Sequence, residues 1–93
     1  MEYKDEIEGK EVIDKLAHLI GKVSNIKVDT NTWKITHVCV DVEKNMVNGL
    51  GLKKPMIGSA KAAIPIEMID AISDRILLKN ASLDELKKAI IVY

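Results

Sequence analysis

The side chains best suited to chemistry in this chain are few and scattered. His18 and His37 are its only histidines, and Cys39 is its only cysteine. On an extended strand His37 and Cys39 would share a face, a two-ligand arrangement that falls short of a zinc site. As a nucleophilic pair they would need an orienting third group and an oxyanion hole, and the sequence marks neither. The run Gly49-Leu50-Gly51-Leu52-Lys53-Lys54 has the glycines and lysines of a phosphate loop. It lacks the longer gap between glycines, and no Ser or Thr follows the lysines. Asp14, Asp29, Asp41, Asp70 and Asp74 fall mostly at turns or strand ends, where Asp serves the backbone. No carboxylate pair for acid–base work can be singled out. The expectation is a protein that is not an enzyme and has no metal or cofactor.

Composition narrows the function classes further. Fourteen basic and fourteen acidic residues cancel across 93 positions, and the pI is about 6.7. That balance argues against constitutive binding to duplex nucleic acid, which rests on neutralising phosphates. The aromatics are only Tyr3, Trp33 and Tyr93, too few to stack the bases of a single strand. The lone thiol excludes an internal disulfide framework. With 47% hydrophobic and 30% charged residues the chain is not disordered. No secretory leader or membrane-length apolar run is legible, so the expected compartment is the cytoplasm. The whole of 1–93 is expected to form one domain.

The elements that would position these residues are mostly strands. Ile and Val number 13 and 8 against 8 Leu, and β-branched side chains suit a pleated surface. Residues 9–14 read as a first strand and 20–28 as a second. Val23 falls out of phase with Ile26 and Val28, which predicts a bulge near Ser24-Asn25. Asp29-Thr30-Asn31-Thr32 is a turn, and 33–42 returns as the other arm of a hairpin. Its one face carries Thr36, Val38, Val40 and Val42. The segment 44–59 is a long loop, greasy for its position. Residues 62–66 read as an edge strand because Pro65 cannot donate to a ladder. A helical turn follows at 67–72, then a strand at 74–79. Ser82 and Glu85 form a capping box for a short helix, about 82–90, with Leu83, Leu86 and Ile90 on one face.

These pieces together resemble a PRC-barrel domain, over roughly residues 7–80. The residues that carry the likeness are Gly9-Lys10-Glu11-Val12-Ile13-Asp14 and Ile20-Gly21-Lys22-Val23-Ser24-Asn25-Ile26-Lys27-Val28-Asp29, then the return Ile35 to Val42. Ile64-Pro65-Ile66-Glu67-Met68-Ile69 and Ile72-Ser73-Asp74-Arg75-Ile76-Leu77-Leu78 complete it. A departure is Thr32-Trp33, where family members often carry Thr-Gly. The resemblance implies a mainly β fold: a small antiparallel barrel of five to six strands with a short C-terminal α-helix. It implies a non-catalytic adaptor or assembly module. Short, lysine-rich, stand-alone versions resemble archaeal members, some linked to cell division through the membrane anchor of the division ring. Another branch serves ribosome maturation.

Three residue sets are therefore candidate contacts. Trp33, Met46, Leu50, Leu52, Met56 and Ile57 would meet a protein partner; the alternative is that Trp33 covers a barrel end and the loop caps a barrel mouth. Ile91, Val92 and Tyr93 would contribute to a homodimer, or else pack under the helix. Lys53, Lys54 and Lys61 form a basic patch, since residues 44–66 carry four lysines and no acid. They would serve the alternative function of an RNA- or ribosome-associated factor. Neither membrane insertion nor a small-molecule substrate is indicated.

Overall fold

The extended segments assemble into one seven-stranded sheet in a computed structural model that describes residues 7–56, 58–79 and 82–92. The strands are β1 (Glu11–Ile13), β2 (Leu19–Asp29), β3 (Lys34–Val42), β4 (Ala60–Pro65), β5 (Ile69–Ile72), β6 (Ile76–Leu78) and β7 (Ile91–Val92). A short helix, α1 (Leu83–Ala89), lies between β6 and β7. The spatial order is β5-β6-β1-β2-β3-β4-β7. The mainly β architecture with one short C-terminal helix is as the sequence implies. The sheet is open, with β5 and β7 at its ends, and every pair is antiparallel except β1 with β6.

Two expected elements change character. Residues 67–72 are not one helical turn: a 3₁₀ turn spans Ile66–Met68, and Ile69–Ile72 then pairs with β6. The 62–66 segment is not an edge, because β7 pairs with Ala62 and Ala63 of β4. Pro65 is tolerated because it sits at the strand end, opposite His37 and beyond the reach of β7. The bulge falls where the phase slip put it, between Val23 and Asn25. It returns Val23 to the buried face alongside Val40.

One face of the sheet makes the core. Val12, Ile20, Val38, Val40, Ile64, Ile76 and Leu78 are all at most 1% exposed. Leu86 of α1 and Val47, Leu50 and Leu52 of the 44–59 loop close over them. Each such side chain contributes roughly 1.5–3 kcal/mol on burial. Helix α1 is too short to persist alone and starts as the capping box predicts, with the Glu85 amide donating to Ser82 Oγ at 3.4 Å. The chain then turns out of the helix and adds β7 to the sheet.

Candidate partner-binding surfaces

The β2–β3 hairpin projects past the core and ends at Trp33. Asp29 builds the tip: its Oδ1 accepts from the Asn31 amide at 2.8 Å, and its carbonyl accepts from the Trp33 amide at 2.6 Å. That turn leaves Trp33 at φ +59°, a left-handed conformation that a bulky side chain rarely adopts. The indole is 78% exposed. At that exposure most of the ring faces outward from the hairpin tip.

The 44–61 loop divides into an inner and an outer part. Its inner part turns tightly, with the Leu50 amide bonded to the Met46 carbonyl and the Leu52 amide to that of Val47. Leu50 and Leu52 are 2% and 8% exposed, and Met46 packs against the core. These three are therefore closing residues of the fold rather than a docking surface. The hydrophobic face of the sheet needs a cover, and they supply it. In the outer part, Lys53 to Met56 and Gly58 to Ser59 are exposed, Met56 fully at 102%. Ile57 lies outside the described residues. Two grooves flank this outer part. One, of about 430 Å³, is lined by Leu52, Lys53, Pro55 and Lys61 among others. The second, of about 330 Å³, is lined by Lys44, Val47, Lys54 and Met56 among others.

The basic patch is only partly available. Lys53 and Lys54 are exposed, whereas Lys61 forms an ion pair with Asp41 across the β3–β4 ladder. That pair belongs to a longer row on the outer face of the sheet. Arg75 Nε meets Glu11 Oε1 at 3.1 Å, Glu11 stands opposite Lys22, Lys22 opposite Asp41, and Asp41 opposite Lys61. Signs alternate from the β5–β6 turn across four strands, so each charge of the row has an opposite neighbour. At the C-terminal end, Ile91 is 49% exposed on the edge strand β7. Val92 pairs through its backbone with Ala62; its side chain and Tyr93 lie outside the described residues.

The histidines and the cysteine occupy separate places. Cys39 is buried, and its carbonyl accepts from Ser24 Oγ at 3.3 Å. His37 Nδ1 lies 3.0 Å from Thr36 Oγ1. Among the described residues no cluster of three or more His, Cys, Asp or Glu could hold a metal ion. Asp14, passed over in the sequence as a strand-end residue, is a buried carboxylate. Its Oδ1 accepts from the Leu16 and His18 amides, both at 2.9 Å, and its Oδ2 meets His18 Nδ1 at 2.9 Å. The chemistry this arrangement supports is orientation: it holds the β1–β2 turn and ties the His18 ring to it through Nδ1. The spacing Asp-x-x-x-His between two strands is the signal that could have revealed it. Also unforeseen is an apolar row on the outer face, formed by Leu19, Ile13 and Leu77.

No helix among the described residues is long and apolar enough to cross a membrane. No curated protein matches the chain. The sequence profile of the PRC-barrel domain matches residues 1–84, a span that holds six of the seven strands and the start of α1. With that match running through the Ile20-Gly21-Lys22-Val23 strand, its hairpin return and the closing β6, the chain belongs to the PRC-barrel domain family.

Proposed function

We propose that this domain is a protein-binding adaptor that inserts Trp33 into a partner and works as a homodimer. PRC-barrel domains generally act as non-catalytic modules that mediate protein–protein interaction. The observation that carries the reading is Trp33 itself. A large indole held outward in a strained backbone conformation buries little of itself against the described residues, and tryptophan is the side chain most often found at interface hot spots. Met56 and the exposed Ile91 support additional contacts, the latter along the free edge of β7 between two copies. The resemblance to stand-alone archaeal members directs the first search for a partner to the membrane anchor of the division ring.

The test compares capture from native cell extract, by mass spectrometry, on immobilised wild type and Trp33→Ala. The expected outcome is a specific protein retained by wild type and lost by about thirtyfold or more on the variant, the scale of a hot-spot truncation. Equal capture by both would refute the anchor. Light scattering at micromolar concentration tests the dimer, and a monomer mass rejects it. A second reading, RNA or ribosome association, is favoured by one observation: Lys44, Lys53 and Lys54 line the two grooves of the loop, and no acid lies between residues 44 and 66. It predicts RNA affinity that falls steeply with salt and is lost on Lys53→Glu/Lys54→Glu.

A further inference from the structure

We infer that the outer face of β5, β6, β1 and β2 is a docking furrow for an acidic amphipathic helix of a partner protein. This site is separate from the Trp33 tip and adds a second surface to the binding-module reading on which it rests. Register places Ala71 opposite Leu77, Leu77 beside Ile13, and Ile13 opposite Leu19. The alternating neighbours Val12, Ile20, Ile76 and Leu78 point into the core. The row therefore lies on the opposite face, where a half-solvated sheet would ordinarily be polar. Leu77, Ile13 and Leu19 are half-buried and Ala71 is exposed. Leu16, 60% exposed, stands at the end of the row on the turn that the Asp14 carboxylate holds. Ile13 and Leu77, with Ser73, Asp74 and Arg75, line a groove of about 460 Å³.

Dimensions and charge select the occupant. Four strands at about 4.8 Å spacing make a row of roughly 14 Å. A helix repeats its face every 5.4 Å or so, so side chains at i, i+3/i+4 and i+7 fall into step with successive strands. One flank is cationic. Lys15 and Lys79 follow Ile13 and Leu77 by two positions on one side. Both are exposed and form no ion pair among the described residues. The other side is balanced: Arg75 is engaged by Glu11, Lys22 stands opposite Asp41, and Asp74 lies beside Arg75 in the groove. Glu or Asp along one edge of the apolar stripe of the incoming helix would meet Lys15 and Lys79.

The same features disfavour the other occupants. A second copy stacked on this face about a twofold axis would bring lysine against lysine. A flat lipid surface would reach Leu16 but not the recessed Ile13 and Leu77. A strand added to the β5 edge would meet a ladder interrupted between Ile69 and Ala71 and an edge carrying Asp70.

The full chain, labelled with ¹⁵N, would be titrated with a helix-stapled synthetic peptide bearing Leu at i, i+3, i+4 and i+7, flanked by Glu. Controls are the same peptide with Lys for Glu, and one with the leucines scrambled. The expected result is amide shifts centred on Ile13, Leu16, Leu19 and Leu77, with both controls weaker by at least about tenfold, the equivalent of one anchor. Leu16→Glu should lose about tenfold, and Lys15→Glu/Lys79→Glu should reverse the preference between Glu and Lys peptides. All three positions are exposed, so folding is preserved, and Trp33→Ala should bind the peptide as wild type does. Shifts confined to the 44–61 loop, or no difference between the peptides, would overturn the inference. So would sedimentation with phosphatidylglycerol vesicles that Leu16→Glu abolishes, which assigns the row to a membrane. A dimer broken by Leu16→Glu would overturn it in favour of a second copy. The Trp33 capture experiment is unaffected by any of these outcomes, so the two readings fail separately.

Discussion

Replacing Gly21 by alanine would ordinarily be mildly favourable, since it reduces the freedom of the unfolded chain by about 0.4–1 kcal/mol. Here the sign reverses. A Cβ at Gly21 would lie 2.2 Å from the Asp41 carbonyl oxygen, 3.0 Å from its carbon and 3.1 Å from Val42 Cα. All three atoms are backbone, so no side-chain rotation relieves the clash. Reaching even a 3.0 Å contact requires β2 and β3 to part by roughly 0.8 Å, which stretches neighbouring ladder hydrogen bonds beyond useful length. Overpacking of this kind costs about 1–3 kcal/mol, and each weakened hydrogen bond about 1 kcal/mol. A loss of roughly 3 kcal/mol follows, or about 12–24 °C in Tm for a domain of this size. Thermal unfolding followed by far-UV circular dichroism reads it directly. Gly58→Ala is the matched control: φ is +78° with nothing within 4 Å, so only the left-handed penalty of about 1–2 kcal/mol applies. Gly21→Ala with a Tm equal to or above wild type would refute the close strand approach and, with it, the register of the hairpin.

Three further outcomes follow from the same structure. Asp14→Ala strips acceptors from the Leu16 and His18 amides and should lower stability by about 2–4 kcal/mol in urea titrations, with His18→Ala costing about 1 kcal/mol or less. Leu50→Ala should cost about 2–5 kcal/mol as a core truncation while Met56→Ala stays within about 0.5 kcal/mol, and equal values would erase the division of the loop into inner and outer parts. Trp33→Gly relieves a left-handed residue and should raise stability by about 0.5–1 kcal/mol net of glycine's entropy, a gain visible as an increased urea midpoint with unchanged slope.

How much was legible depended on whether local pattern or distant pairing decided the outcome. The hairpin was legible because its signals are local: a phase slip at Val23, an Asp-Thr-Asn-Thr turn and strict alternation over Thr36 to Val42. The helix start was legible from Ser82 and Glu85 for the same reason. β5 and β7 were missed because they are four and two residues long and become strands only through β6 and β4. β4 was misjudged as an edge because proline forbids a donor at one position, whereas β7 needs only Ala62 and Ala63. At the candidate sites the greasy loop stands out by composition, but burial within one chain and burial against a partner leave the same composition. Only the fold separates Leu50 and Leu52 from Met56. The Asp14–His18 pair and the Lys61–Asp41 pair were hidden because each acid looks like ordinary strand-end chemistry until its partner is brought alongside.

The outer face shows how strand register divides the surface of a sheet of this kind. Its middle is closed to partners by the alternating row from Arg75 to Lys61, because every charge there already has an opposite neighbour in register. A charged partner approaching that row gains little and must desolvate pairs already formed. What remains available is whatever the row leaves unpaired: the indole beyond the hairpin on one side, and on the other the aliphatic furrow with Lys15 and Lys79 at its border. Strand register fixes both the alternating row and the furrow. A one-residue slip of β1 against β2 would move Ile13 into the core and Val12 out of it. It would dismantle the furrow and the Glu11–Lys22 step together, so binding at this face and integrity of the sheet are linked through the same hydrogen-bond ladder.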